Sequence, residues 1–168
     1  VGHLKALGHT AIGLGGHDTH PDHVCYREFR AALENYNLEF RPQWVFNHPK
    51  IYMSEAGARA AASYLELRER PTAMIINADE SACAFLNMVQ RAGIQVPQEL
   101  SVVSIDDTPM ALYASVALTS ASQPCLQHAE KAAELLLERI NGTYSGPPRT
   151  IWVEGDFKPR DSTAQPPK

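Results

Sequence analysis

Basic charge is scarce in this chain: 15 Lys and Arg stand against 19 Asp and Glu, a net charge of −4. A nucleic-acid footprint needs clustered Lys and Arg, so contact with a phosphate backbone is expected to lie outside this polypeptide. Cysteine is nearly absent too. Cys25, Cys83 and Cys125 are odd in number, far apart and outside any CxxC spacing, which indicates neither a disulfide framework nor a zinc cluster and suits a reducing cytoplasm. No run approaches the ~18 apolar residues of a membrane span, and the front of the chain has no signal-peptide pattern. There is no Gly-x-Ser-x-Gly elbow for a serine nucleophile. Gly13-Leu-Gly15-Gly-His-Asp18 misses the dinucleotide fingerprint because Asp18 replaces its third glycine and would set a carboxylate beside a pyrophosphate. The chain begins at Val1 without a methionine and reads as a fragment or a processed product.

What is present is regular. A chain of 168 residues, 44% of them hydrophobic, can bury one core of ordinary size and hardly two. Apolar strands at 10–14, 44–47, 73–77 and 100–105 alternate with helical periodicity. The first helix is predicted over 22–36, with Pro21 in its first turn and Cys25, Phe29, Ala32, Leu33 and Tyr36 on one face. The second is capped by Ser54 and repeats Ala58, Ala61, Ala62 and Leu65. The third follows Asp79, turns Ala82, Phe85, Leu86 and Val89 inward and stops at Gly93. Strand-helix alternation with short links predicts a doubly wound α/β fold, a parallel sheet with helices on both faces. Beyond Asp107 the alternation lapses. Residues 108–118 lack periodicity, 119–123 is extended, the helix 126–140 closes at Asn141-Gly142, and 151–153 is a last strand.

Ligands of an open parallel sheet bind beyond the carboxyl ends of its strands. Those ends carry His17 and Asp18, Asn47 and His48, Asn77 and Asp79, and Asp106 and Asp107, hydrogen-bonding groups suited to a small polar molecule. Asp79 immediately precedes a helix and of these groups is the one that reads first as a cap, whereas Asp106 is the favoured contact. The loop from His17 to His23 holds three imidazoles and two carboxylates, but with no second ligand cluster elsewhere a solvated loop is preferred to a metal site. No cofactor is expected.

Five separated motifs now carry a resemblance. Leu7-Gly-His-Thr-Ala-Ile12 with Gly15-Gly16, Pro71-Thr-Ala-Met-Ile-Ile with Asp79, Val96-Pro-Gln-Glu-Leu-Ser-Val-Val-Ser-Ile-Asp-Asp107, Leu118-Thr-Ser with Gln123-Pro124, and Arg160-Asp-Ser-Thr163 occur in order over nearly the whole chain. Together they resemble the lactose-repressor/galactose-repressor (LacI/GalR) family of bacterial transcription regulators. The resemblance implies a periplasmic-binding-protein-like effector domain of two α/β lobes. Residues 1–124 would be most of the C-terminal lobe, with its first helix truncated. Residues 125–155 would be a crossover helix and strand of the N-terminal lobe, and 156–168 the return and tail. By the same resemblance Asp106 and Gln123 face the effector and Asp79 matches the aspartate of an Asn-Asp pair. Cys25 stands where the family has an arginine, Ala78 where it commonly has an asparagine, and Ser104 where it usually has a glycine. Loss of the arginine removes a bidentate donor, and the His17 loop and Asn47 are the candidates to supply other contacts.

The implied function is sensing of a small polar effector, sugar-like or a related metabolite, without catalysis. The protein would be a cytoplasmic homodimer, free of the membrane, that reaches operator DNA through a headpiece absent from this chain. The alternative is a periplasmic sugar-binding protein of a transporter, and a metal-dependent hydrolase using the histidine loop is weaker. The helix 126–140 carries a broad apolar face, so it is expected to pack on another copy, fold back, or be disordered.

Overall fold

The computed structural model describes residues 1–167. The elements run α1 (Gly2–Ala6), β1 (Ile12–Gly16), α2 (Val24–Asn35), β2 (Val45–Asn47), α3 (Met53–Glu66), β3 (Ala73–Ile76), α4 (Asp79–Arg91), β4 (Ser101–Asp106), α5 (Pro109–Tyr113), β5 (Thr119–Ser122), α6 (Cys125–Ile140) and β6 (Phe157–Lys158). They build one six-stranded sheet in the order β2-β1-β3-β4-β5-β6, parallel except for β6, which pairs antiparallel with β5. The α/β class and parallel topology read from the sequence are those observed.

The first three strands each feed a helix that packs on a face of the sheet: β1 leads to α2, β2 to α3 and β3 to α4. One layer gathers Phe46, Met74, Ile76 and Val102 with Tyr64 of α3 and Ala82, Phe85, Leu86 and Val89 of α4. The other gathers Leu4, Ile12, Leu14 and Val103 with Phe29 and Leu33 of α2. Alternate residues of one strand thus serve opposite layers: Val102 goes to the first and Val103 to the second. Every residue of β1 is buried, as a central parallel strand covered on both sides requires.

Several local readings change. α2 starts at Val24, not 22, because His23 is its N-cap and its Nδ1 accepts the Cys25 N–H at 3.3 Å. Ser54 is not a cap: Tyr52 precedes α3 and makes no side-chain bond there. The buried face of α3 is Ala56, Gly57, Ala60, Ala61 and Tyr64 rather than the set around Ala58 and Ala62. Gly57 explains the rotation. A Cβ there would lie 2.0 Å from the Ser81 carbonyl oxygen, so α3 and α4 approach to backbone contact along that line. Residues 109–113, read as irregular, form the short helix α5 with Pro109 in its first turn.

The stretch 151–153 forms no strand. A strand exists only within a ladder, and this one has no neighbour; Trp152 is 90% exposed. α6 is formed as read but has no buried residue, and Leu126, Leu136, Leu137 and Ile140 all face outward. It therefore neither folds back onto the sheet nor loses helical order.

Candidate functional site

Parallel register brings the carboxyl ends of five strands to one rim. Gly16 lies beside Asn47, Gly15 beside Ile76, and Asp106 beside Ser122. His17, Asn77 and Gln123 each follow directly on a strand, so residues from 17, 47, 77, 106 and 123 meet along a single edge. Separations of up to about a hundred positions in sequence collapse there.

At the β1–β2 end the polar groups are occupied with one another. The Asn47 side-chain oxygen accepts the Thr19 N–H at 2.9 Å, and the buried Thr19 hydroxyl donates to the Phe46 carbonyl at 3.0 Å, which pins the loop after β1. The Asn77 side-chain amide donates to the His17 carbonyl. Gly16, at φ +116, permits this approach, because a Cβ would lie 2.3 Å from the Asn77 side-chain oxygen. That oxygen, and His48 Nε2 nearby, are shielded from solvent without a hydrogen-bond partner. The His17 ring is half-exposed, with Nδ1 3.3 Å from the Asp18 carboxylate.

At the β4–β5 end lie Asp106 and Gln123. The Gln123 side-chain amide donates to the Asp106 carboxylate at 2.6 Å. Burial pushes the Asp106 carboxyl upward; the Gln123 bond works against that and the nearby Asp79 charge adds to it. The Asp106 carboxylate keeps capacity to accept from a ligand hydroxyl or amide. Cys25, at the start of α2, is half-buried. Burial raises its thiol, a backbone hydrogen bond works against that and the Asp106 charge adds to it, a balance that favours the neutral thiol.

Asp79 is placed differently from the other five candidates. It is 1% exposed, and it does not cap α4, whose N-cap is Ala78. One carboxylate oxygen accepts from the Ser104 hydroxyl at 2.5 Å and the Ser120 hydroxyl at 3.0 Å. The other accepts the Thr108 N–H at 2.6 Å and the Thr108 hydroxyl at 2.9 Å. Its four donors are protein groups, so in this structure the acceptor capacity of Asp79 is taken up within the fold. Ser104, the departure from the family glycine, supplies one of those donors.

Sequence reasoning missed the partner of Asp107. Arg160 pairs with its carboxylate and donates from Nη1 to the Leu118 carbonyl at 2.8 Å. The signal was present: Asp106-Asp107 and Arg160-Asp-Ser-Thr163 both stood out as motifs, but nothing local joined them. Among the described residues, no group of three or more His, Cys, Asp or Glu is positioned to hold a metal ion, and the 17–23 loop is no exception. Among the described residues, no helix is long and apolar enough to cross a membrane.

Comparison with known proteins agrees with this architecture. The periplasmic binding protein-like domain family matches residues 1–163. The NTD biosynthesis operon regulator NtdR of Bacillus subtilis is 27% identical over 165 residues, 97% of this chain and 50% of that protein. The HTH-type transcriptional repressor PurR of Aliivibrio salmonicida is 31% identical over 144 residues, 84% of this chain and 43% of that protein. The chain thus spans about half the length of the curated relatives it matches. Among solved structures, a LacI family transcriptional regulator from Bifidobacterium animalis subsp. lactis superposes with a TM-score of 0.83 at 27% identity, covering 99% of this chain and 59% of that one. The transcriptional regulator CelR in complex with cellobiose superposes with a TM-score of 0.84 at 26% identity, covering 95% and 49%. A fold whose strand ends converge on one polar rim, matched over 163 residues, means that the chain belongs to the periplasmic binding protein-like family, within its LacI/GalR-type branch.

Proposed function

We propose that this chain is an effector-sensing part of a LacI/GalR-type transcriptional regulator and that it binds a small polar ligand, a sugar or related metabolite, at the carboxyl ends of its strands. The observation that carries this reading is the Asp106–Gln123 pair, a carboxylate and a carboxamide held 2.6 Å apart where β4 and β5 end. A carboxylate accepts from two vicinal hydroxyls and the carboxamide adds a donor or an acceptor, a set suited to a polyol or a base edge. His17, Asn47 and the neutral Cys25 complete the rim, and Asp79 serves it from below. Residues 1–124 and 156–168 act as one lobe, and 125–155 belong with a second. That division is favoured by the membership of the sheet, which takes β1–β5 and β6 but nothing from 123–156, and by the lack of any buried residue in α6.

In this reading the lobes close over the ligand, and preferential binding to the closed state alters the geometry of a homodimer whose separate headpieces contact operator DNA. The protein works in the cytoplasm and catalyses no reaction. A thermal-shift screen of the full-length regulator against sugars, nucleosides and related metabolites, repeated with Asp106→Ala, tests it. A stabilising ligand whose effect disappears in the variant is expected, because a ligand stabilises only a state that it binds. Stabilisation indifferent to Asp106 would overturn the assignment of the site.

A further inference from the structure

Asp106 and Asp107 are consecutive, neither is glycine, and both have positive φ, +114 and +54. Such angles are disfavoured for L residues, the first strongly so, and persist only where the surroundings over-determine them. Neither residue is compelled locally. Asp106 is the last residue of β4, still in register with Ser122, and no glycine or proline follows until Pro109.

Two charged groups from distant segments hold this turn. From below, the buried Asp79 accepts from the N–H and hydroxyl of Thr108, the next residue, and from the Ser104 and Ser120 hydroxyls on either strand. Ser120 in turn accepts the Asp107 N–H at 3.1 Å, so the Asp79 network grips the backbone on both peptides after Asp106. From the side, Arg160 takes the Asp107 carboxylate. Arg160 is itself fixed by Nη1 on the Leu118 carbonyl and by its own N–H on the Thr119 hydroxyl at 2.9 Å. Left to strand geometry, the chain would run on and the Asp106 side chain would follow the sheet's alternation. Held in the turn, it stands at the rim against Gln123.

We infer that Asp79 and Arg160 are positioning residues that clamp the Asp106–Asp107 backbone in its left-handed turn and thereby aim the Asp106 carboxylate into the crevice. The value of that aim rests on the effector reading above; the clamp itself does not. Arg160 lies just past β6, so the geometry of the site depends on where the chain re-enters the sheet after residues 123–156. Displacing that segment loosens the carboxylate.

The test reads the backbone directly. In isotopically labelled protein, the three-bond HN–Hα couplings and Cα shifts of Asp106 and Asp107 are compared between the parent, Arg160→Lys, which keeps the charge but loses the planar fork, and Asp79→Asn. Both variants are expected to move these values toward those of negative φ, while β1 to β3 stay unchanged. Parent-like values in both variants would overturn the inference. Where a variant is too unstable to assign, a double-mutant cycle in urea replaces it. Asp106→Gly should raise the denaturation midpoint of the parent by relieving strain, and most of that gain should vanish beside Arg160→Lys; an undiminished gain would refute the clamp. Couplings that move as expected while no ligand stabilises the protein would count against the effector reading and leave the clamp standing.

Discussion

A single buried carboxylate shows how far a residue's chemistry is decided by its surroundings. Asp79 accepts from the fully buried hydroxyls of Ser104 and Ser120, so removing it strands both. Leaving buried polar groups unpaired costs about 1–3 kcal/mol each, and Asp79→Ala is expected to lose roughly 3 kcal/mol or more of unfolding free energy in urea. A loss below about 1 kcal/mol would mean that water replaces the carboxylate. His9 makes the corresponding case for a base. Its Nε2 lies 2.9 Å from the Ala164 carbonyl, which can only accept, so Nε2 carries the proton and Nδ1 accepts the Thr72 hydroxyl at 2.8 Å. Burial holds the ring's pKa below the usual histidine value, with the Ala164 bond opposing and the His3 charge adding slightly. Below about pH 6.5 the unfolded chain takes a proton that the folded chain resists, so stability is full above that pH and is lost as pH falls through it. His3 and His48 shift in the same direction, also through burial. The urea midpoint is expected to drop between pH 7.5 and pH 5.5, and His9→Gln should flatten part of that slope.

At the scale of elements, the contact between α3 and α4 is set by small residues. Gly57 faces the Ser81 carbonyl, and Ala56, Ala60 and Ala61 beside it are fully buried. Gly57→Ala would improve helix propensity by about 1 kcal/mol in isolation, but it puts a methyl 2.0 Å from a carbonyl oxygen. Overpacking of this kind costs about 1–3 kcal/mol or more, so the substitution is expected to destabilise. A stability gain in thermal or urea unfolding would show that the helices separate cheaply. This contact also explains why the inward face of α3 was misread. Alanine recurs all around that helix, and periodicity among residues of equal size cannot say which of them meets a neighbour. In α4 the bulky residues stand on one stripe, and Ala82, Phe85, Leu86 and Val89 were legible as the buried face.

At the scale of the whole molecule, α6 stands out among the described helices as the one that buries no residue. Leu136 and Ile140 are 59% and 68% exposed, and Leu86 is 1% exposed. The double substitution Leu136→Gln with Ile140→Gln should therefore change the stability of the isolated chain by no more than about 0.5 kcal/mol, whereas Leu86→Ala should cost about 2–5 kcal/mol. A large loss from the first pair would mean that this face is covered in solution. The alternation of strands and helices, the parallel sheet and the rim where the strand ends meet were determined by the sequence itself, because apolar period and the handedness of crossovers act over short stretches. So was the family, through motifs spread over most of the chain. Tertiary structure alone decided which rim residues face outward and which lie beneath. Asp79 and Asp106 are both acidic and both stand near the end of a strand, yet the first is buried with its acceptor capacity filled by four protein donors and the second is only partly buried beside Gln123. It also decided that 151–153, strand-like in composition, has no ladder, and that Arg160 meets Asp107 across 53 positions. Hydrogen bonds and ladders need a partner brought from elsewhere in the chain, and only folding brings it.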